Sequence, residues 1–347
     1  MRRPVTSILF VCFLVVLSGC TTMSGSVQSK TQQDDTIQIG MCFDSFVIER
    51  WQRDRDVFVT TAKELGAEVN VQNANGSLET QVSQIKYFID KGVDVIVIVA
   101  IDSTEITDVV KEARKAGIKV VAYDRLISEA NVDLYISFDN EKVGELMAEA
   151  LVGASDSGKK NNIVMLCGPT TDTNVSFVEK GFQNVMQLNN IQVADKMNAE
   201  GWKAELAYSY LSDHYQIASK LNGIMCGNDS LAGQAVRYLS ERRLAGTVPV
   251  VGQDADLDAC QRIVEGTQLM TVYKPVEKLA KSAAEYAVKL AKSEDISITD
   301  TINDNKYDVP YVKLEPIAVT ADNMNEVIID SGFHLREDVY LNVPEQE

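Results

Sequence analysis

The chain has 347 residues, a formal net charge of −17, 45% hydrophobic and only 7% aromatic residues, and two histidines. That length accommodates two domains of ordinary size. The acidity, with no basic stripe anywhere, excludes a nucleic-acid binder, and His214 and His334 stand too far apart in sequence to suggest a zinc site or a histidine-based triad.

Read in chain order, Arg2-Arg3 precedes an apolar run from Ile8 to Leu17, the pattern of an export signal. Ten apolar residues are too few to span a bilayer, which takes about 20. The run ends in Leu17-Ser18-Gly19-Cys20. This resembles the lipoprotein cleavage box, so residues 1–20 are expected to be a lipoprotein signal with Cys20 as the acylated residue. The Ser/Thr/Gln-rich stretch 21–36 reads as a flexible tether. The expected location is the extracytoplasmic face of the cell membrane, held by lipid. Cys42, Cys167, Cys226 and Cys260 form no CxxC pair, and sequence leaves open whether any of them are bonded.

From residue 37 the pattern alternates strand and helix. Strands are expected at 37–42, 67–72, 93–99 and 118–123. The helices between them, 49–65, 77–91 and 103–116, are each followed by a glycine. After strand 133–137 and helix 141–151, a Gly/Ser/Lys-rich break at 153–160 opens a second set. Its strands are 163–167, 191–194, 223–226, 248–252 and 269–273; its helices are 175–188, 204–221, 230–244 and 257–264. Helix 276–292 and a less regular tail follow. Repeated βαβ units of this kind predict an α/β fold of two similar, doubly wound parallel-sheet lobes.

Several predicted strands end in hydrogen-bonding side chains: Cys42-Phe43-Asp44, Ala122-Tyr123-Asp124-Arg125, Ser137-Phe138-Asp139-Asn140, Gly227-Asn228-Asp229 and Gly252-Gln253-Asp254. In open α/β sheets ligands collect beyond the carboxyl ends of the strands. Asp, Asn and Arg gathered there suit a molecule rich in hydroxyls, and tryptophans could cover its apolar C–H faces.

The combination resembles the periplasmic sugar-binding proteins of the ribose/galactose type, in particular the xylose-binding branch serving bacterial ABC transporters. The likeness is carried by Glu49-Arg50-Trp51-Gln52-Arg53-Asp54, Ala74-Asn75-Gly76, Ala122-Tyr123-Asp124-Arg125, Tyr135-Ile136-Ser137-Phe138-Asp139-Asn140, Gly252-Gln253-Asp254-Ala255-Asp256 and Thr271-Val272-Tyr273-Lys274-Pro275. It runs from about Ile37 to Arg336. It implies a type I binding protein with a three-segment hinge, a first lobe of 37–140 plus 275–303 and a second of 141–274 plus 304–347.

The resemblance assigns the sugar contacts residue by residue. Arg50 reaches the ligand, where the bare sequence favours a surface pair with Glu49. Trp51 either stacks on the sugar or packs in the core. Arg125 binds, while Asp124 accepts a hydroxyl or orients Arg125. Asp172 and Asn174 match the ends of the family's Asp-Asn-Asn segment, with Thr173 departing at the middle and an N-cap as the alternative for Asn174. Asn228 and Asp254 match binding positions, Lys274 places a cation at the second crossover, and Trp202 supplies the second ring although its flank departs from the family.

The implied ligand is D-xylose or a related pyranose such as D-glucose. The implied partner is an ABC sugar permease, with a membrane sensor kinase or chemoreceptor as the alternative, and the protein is expected to act as a monomer without cofactor or metal. A glycosidase would need a carboxylate pair drawn from Asp44, Asp124, Asp139, Asp172 and Asp254. No activated nucleophile accompanies them, so an enzyme is not expected.

Overall fold

The computed structural model describes residues 36–154 and 162–343; the expected signal, Cys20 and nearly all of the tether lie outside the described residues. The chain runs β1 (Ile37–Phe43), α1 (Arg50–Glu64), β2 (Ala67–Asn73), α2 (Leu78–Lys91), β3 (Val95–Ile98), α3 (Thr107–Lys115), β4 (Lys119–Tyr123) and β5 (Leu134–Phe138). It continues through α4 (Asn140–Gly153), β6 (Asn162–Cys167), α5 (Thr173–Leu188), β7 (Gln192–Asn198), α6 (Glu205–Asp213), α7 (Tyr215–Ala218), β8 (Gly223–Cys226) and α8 (Asp229–Ser240). The remainder is β9 (Val250–Gln253), α9 (Leu257–Val264), β10 (Met270–Tyr273), α10 (Val276–Ala291), β11 (Thr301–Asn303), β12 (Asp308–Leu314), β13 (Ile317–Val319) and α11 (Arg336–Val339).

Two sheets result. The first has the order β11-β12-β5-β4-β3-β1-β2 and the second β13-β10-β9-β8-β6-β7. Among the described residues, only β11 and β13 pair antiparallel to their neighbours. Central strands such as Val95-Ile96-Val97-Ile98 are wholly buried because helices cover both faces. Side chains of α1 and α10 pack on one face of the first sheet, those of α2 and α3 on the other. Each such Val or Ile removed from water contributes roughly 1.5–3 kcal/mol, which is why uninterrupted β-branched runs settle here.

The chain passes between the lobes three times: after β5 at Asp139–Asn140, after β10 at Lys274–Pro275, and after β12 at Glu315–Pro316. The third crossing departs from expectation. Strand β12, expected in the second lobe, runs parallel to β5 with Tyr311 opposite Tyr135. Its Val309 is buried in the first lobe's core, and the Tyr311 ring stacks on Tyr135 with centroids 4.8 Å apart. This pairing covers a β5 edge that would otherwise leave its backbone groups without partners.

Two helices also differ from the pattern. Asp102 accepts hydrogen bonds from the backbone amides of Thr104 and Glu105, so residues 102–106 form turns and α3 begins only at Thr107. The expected helix 204–221 breaks at His214, whose backbone (φ −103°, ψ 36°) leaves the helical region. Cys42, Cys167, Cys226 and Cys260 are all free and buried, and burial pushes the Cys42 thiol up to about 12.

Helices α4 and α5 meet at two glycines. A Cβ on Gly144 would lie 2.0 Å from Val178 O, and one on Gly181 would lie 1.9 Å from Glu141 O. Backbone cannot yield as a flexible side chain does, so even one added methyl must push the helices apart. Gly181→Ala should therefore lower unfolding stability by about 1–3 kcal/mol, the usual range for overpacking. A urea titration checks this, and an unchanged midpoint would show that the pair separates freely.

Candidate binding cleft

Beyond the carboxyl ends of both sheets lies a narrow cavity, with about 30 Å³ of free space for a water-sized sphere between the closed lobes. The first lobe contributes Arg50 and Trp51 from the start of α1 and Asp124 and Arg125 from the end of β4. The second contributes Gly168, Asp172, Asn174, Trp202, Gly227, Gln253 and Asp254, and Lys274 stands at the second crossover.

Arg50 is fully enclosed and is held from three sides. Its Nε and Nη2 donate to Asp54 at 3.3 and 3.1 Å, and Nη2 also donates to Asp124 at 3.0 Å. Asp54 lies one helical turn on, so α1 itself sets this pair. Burial works against the Arg50 charge, yet Asp54, Asp124 and Asp254 outweigh it and raise its pKa further. Asp54 also accepts from the Tyr123 hydroxyl. Burial raises the Asp54 carboxyl despite Arg50, and it raises the Asp172 carboxyl despite Arg125. For Asp124 burial acts in the same direction, but Arg50, Lys274 and Arg125 together hold it below the usual carboxylate range.

Arg125 bridges the lobes. Nη1 donates to Asp44 at 2.8 Å and to Ala100 O at 2.8 Å in the first lobe, while Nε forms an ion pair at 2.7 Å with Asp172 in the second. Asn174 crosses in the other direction, donating to Asp124 Oδ1 at 2.9 Å and Asp124 O at 3.1 Å. Asp254 Oδ1 lies 3.2 Å from Lys274 Nζ and 3.9 Å from Arg50 Nη1. The lobes therefore stand closed on one another, joined by charge.

The two tryptophans face the cavity from opposite lobes. Trp51 packs against the Arg50 guanidinium at 4.4 Å. Trp202 donates to Asp172 at 3.3 Å, and its ring sits where a Cβ on residue 168 would come within 2.3 Å, so Gly168 makes room for it. Among the described residues, four buried atoms of the cavity lining make no hydrogen bond to protein; Arg125 Nε and Asp254 Oδ1 are still ion-paired with Asp172 and Lys274, which leaves the Trp51 Nε1–H donor and the Gln253 Oε1 acceptor with neither. Buried polar atoms are rarely left unpaired, so the cavity holds both a donor and an acceptor for a polar guest.

Nine of the ten residues proposed from sequence line this cavity. Asn228 does not: its Oδ1 accepts from Leu231 N at 2.9 Å and caps α8, while its neighbour Gly227 faces the cavity. Asn140, at the start of α4, donates to Asn174 Oδ1 at 3.0 Å, while Asp139 caps the helix. Sequence reasoning missed Asp54, Gln253 and the supporting role of Asp44. Asp54 and Gln253 lie within the quoted motifs, but only the fold shows the first gripping Arg50 and the second opening on the cavity.

Asp54→Ala would strip Arg50 of one buried carboxylate and leave the Tyr123 hydroxyl unpartnered. Breaking a buried pair costs about 3–5 kcal/mol, and chemical denaturation should show a loss of that size. A loss below about 1 kcal/mol, the level of an exposed pair, would mean that Asp124 alone suffices to hold Arg50.

Comparison with known proteins agrees with this architecture. Residues 39–295 match the model of the periplasmic binding protein domain. The chain is 42% identical to the D-xylose-binding periplasmic protein of Haemophilus influenzae, over 94% of this chain and 98% of that protein. It is 41% identical to the protein of the same name from Escherichia coli, over 92% and 97%. Among solved structures, an ABC transporter solute-binding protein from Clostridium phytofermentans with bound β-D-glucose superposes with a TM-score of 0.79 at 27% identity, covering 87% of this chain and 99% of that one. With a domain match over most of its length and relatives above 40% identity along nearly all of it, the chain belongs to the periplasmic binding proteins.

Proposed function

We propose that this protein captures D-xylose, or a closely related pyranose such as D-glucose, between its lobes and delivers it to an ABC sugar permease. The observation that carries the reading is the composition of the cavity wall. Two tryptophans from opposite lobes flank a set of planar donors and carboxylate acceptors, with a spare donor at Trp51 Nε1 and a spare acceptor at Gln253 Oε1. Every one of Arg50, Arg125 and Lys274 has a carboxylate partner, and each of Asp44, Asp54, Asp124, Asp172 and Asp254 lies against one of these cations. A neutral polyol can enter such a wall without leaving a charge unpaired, whereas a charged ligand would upset it. The names of the xylose-binding relatives and the glucose-bound structure support the same ligand class.

The same geometry supports a binder rather than a glycosidase. Each cavity carboxylate is engaged by a cation, and Asp139 is spent on the α4 cap and on Lys313 at 2.8 Å. A glycosidase instead needs one carboxyl free to hold and release a proton.

Lobe closure follows from the division of contacts. A ligand touched by both lobes binds the closed form better than the open one and shifts the population accordingly. The crossings at Asp139–Asn140, Lys274–Pro275 and Glu315–Pro316 form the hinge in this reading, with 37–139, 275–315 in one lobe and 140–274, 316–343 in the other. Cys20 carries the lipid that keeps the protein on the extracytoplasmic face of the membrane.

Calorimetry of the chain from residue 36 against D-xylose, D-glucose, D-ribose, L-arabinose and D-galactose should give its strongest binding with D-xylose. Heat only with ribose, arabinose or galactose would overturn the ligand assignment. Asp254→Ala should weaken the binding by about 1–3 kcal/mol, because it strands a ligand hydroxyl without its acceptor. Small-angle scattering should show a smaller radius of gyration on addition of sugar. In the full-length protein, Cys20→Ser should release it from the membrane fraction, and unchanged retention would mean that another segment anchors it.

A further inference from the structure

The carboxylate at the centre of the second lobe's contribution sits on a strained turn. Asp254 has φ 98° and Ala255 φ 56°, left-handed values that residues with a Cβ seldom adopt. Something must hold the turn. Asp254 N donates to Val272 O at 2.9 Å, and Ala255 N donates to Thr271 Oγ1 at 3.1 Å. Ala255 O accepts from the Cys260 thiol at 3.6 Å and, more closely, from the C-terminal segment. There His334 Nε2 donates to it at 2.8 Å. A carbonyl can only accept, so the proton is on Nε2.

His334 is itself fixed by what surrounds it. The preceding residue, Phe333, is buried with Ala255, Cys260, Ile263 and Tyr273, its ring 4.7 Å from Tyr273 and 4.5 Å from the His334 ring. Arg53 of α1, in the other lobe, lies over Phe333 at 4.3 Å, donates to Phe333 O at 2.8 Å, and pairs with Glu277 of α10 at 2.9 Å. The C-terminal segment thus touches the first lobe through Arg53 and the back of the Asp254 turn through His334. Beside the three chain crossings and the cleft contacts of Arg125 with Asp172 and of Asn174 with Asp124, this contact adds a further side-chain link between the lobes, away from the cavity.

We propose that the segment around Phe333 and His334 is a strap that positions the ligand carboxylate: His334 holds the Asp254–Ala255 turn in its left-handed form, and Arg53, by gripping Phe333, couples that turn to lobe closure. His334 and Arg53 touch no ligand in this scheme; they act through Asp254. The proposal rests on the reading of the cleft as a sugar site.

The test uses the mature chain with D-xylose as the probe and the fluorescence of Trp51 and Trp202 as the readout. His334→Ala should weaken affinity about tenfold, the equivalent of one lost hydrogen bond. His334→Gln, whose amide can donate over a similar reach, should recover most of it. Arg53→Met keeps the apolar stem and should weaken affinity by about threefold, less than additively with His334→Ala because both act on one turn. Thermal unfolding of each variant identifies any that fail to fold, in which case the Gln and Met variants decide. Wild-type affinity in His334→Ala, or equal losses in the Ala and Gln variants, would overturn the strap while leaving the sugar site intact. A wild-type protein that binds none of the five sugars would remove the site itself, and the strap with it.

Discussion

Two guanidinium groups with almost no access to water organise this molecule. Arg50 and Arg125 are about 5% and 3% exposed, and an unpaired charge at that depth would cost several kcal/mol. Each must therefore be surrounded by acceptors, and the acceptors come from distant parts of the chain: Asp54 from the same helix, Asp44 and Asp124 from the ends of β1 and β4, and Asp172 and Asp254 from the opposite lobe. Satisfying two arginines brings the carboxyl ends of both sheets to one place. The sheets, the crossovers and the helix starts can be read as the scaffold for that meeting.

Buried ion pairs add little net stability, because desolvation offsets most of their attraction. Stability lies instead in the apolar runs of the two sheets and in tight helix contacts such as Gly144 against Val178 O and Gly181 against Glu141 O. The charged layer supplies direction. Arg125 lies 2.7 Å from Asp172 across the gap, Asn174 spans it to Asp124, and Thr173 exchanges hydrogen bonds with the Leu126 backbone. Interactions of this kind define one closed arrangement rather than a family of loosely apposed lobes.

The hinge reflects the same economy. Two of its three crossings carry proline, Pro275 and Pro316, which fix φ and remove a donor that would otherwise need pairing. The first crossing instead uses Asn140, whose side chain binds Ser137, Phe138 and Asn174. That crossing is thereby hydrogen-bonded to Asn174 of the cleft.

Much was legible in the residues alone. Uninterrupted runs such as Val95-Ile96-Val97-Ile98 can only be strands covered on both faces, and glycines at left-handed positions after helices, Gly92 at φ 65° for example, stop them where expected. Strand ends rich in Asp, Asn and Arg had to face one edge of a parallel sheet, which is why Arg50, Asp124, Arg125, Asp172 and Asp254 meet. What sequence could not decide depended on pairing between remote segments. Residues 308–314 lay in the less regular tail, and their place in the first sheet is seen only in the pairing with β5 and the stacking of Tyr311 on Tyr135. Asn228 carried the same residue type as a ligand and as a cap, and the position of its Oδ1 relative to Leu231 N made it a cap. Asp54 and His334 were ordinary polar residues until tertiary packing set one beside Arg50 and the other against Ala255 O. Composition and period dictate which residues must be buried and which ends must gather; which polar groups then satisfy one another is settled only by distances that the whole fold creates.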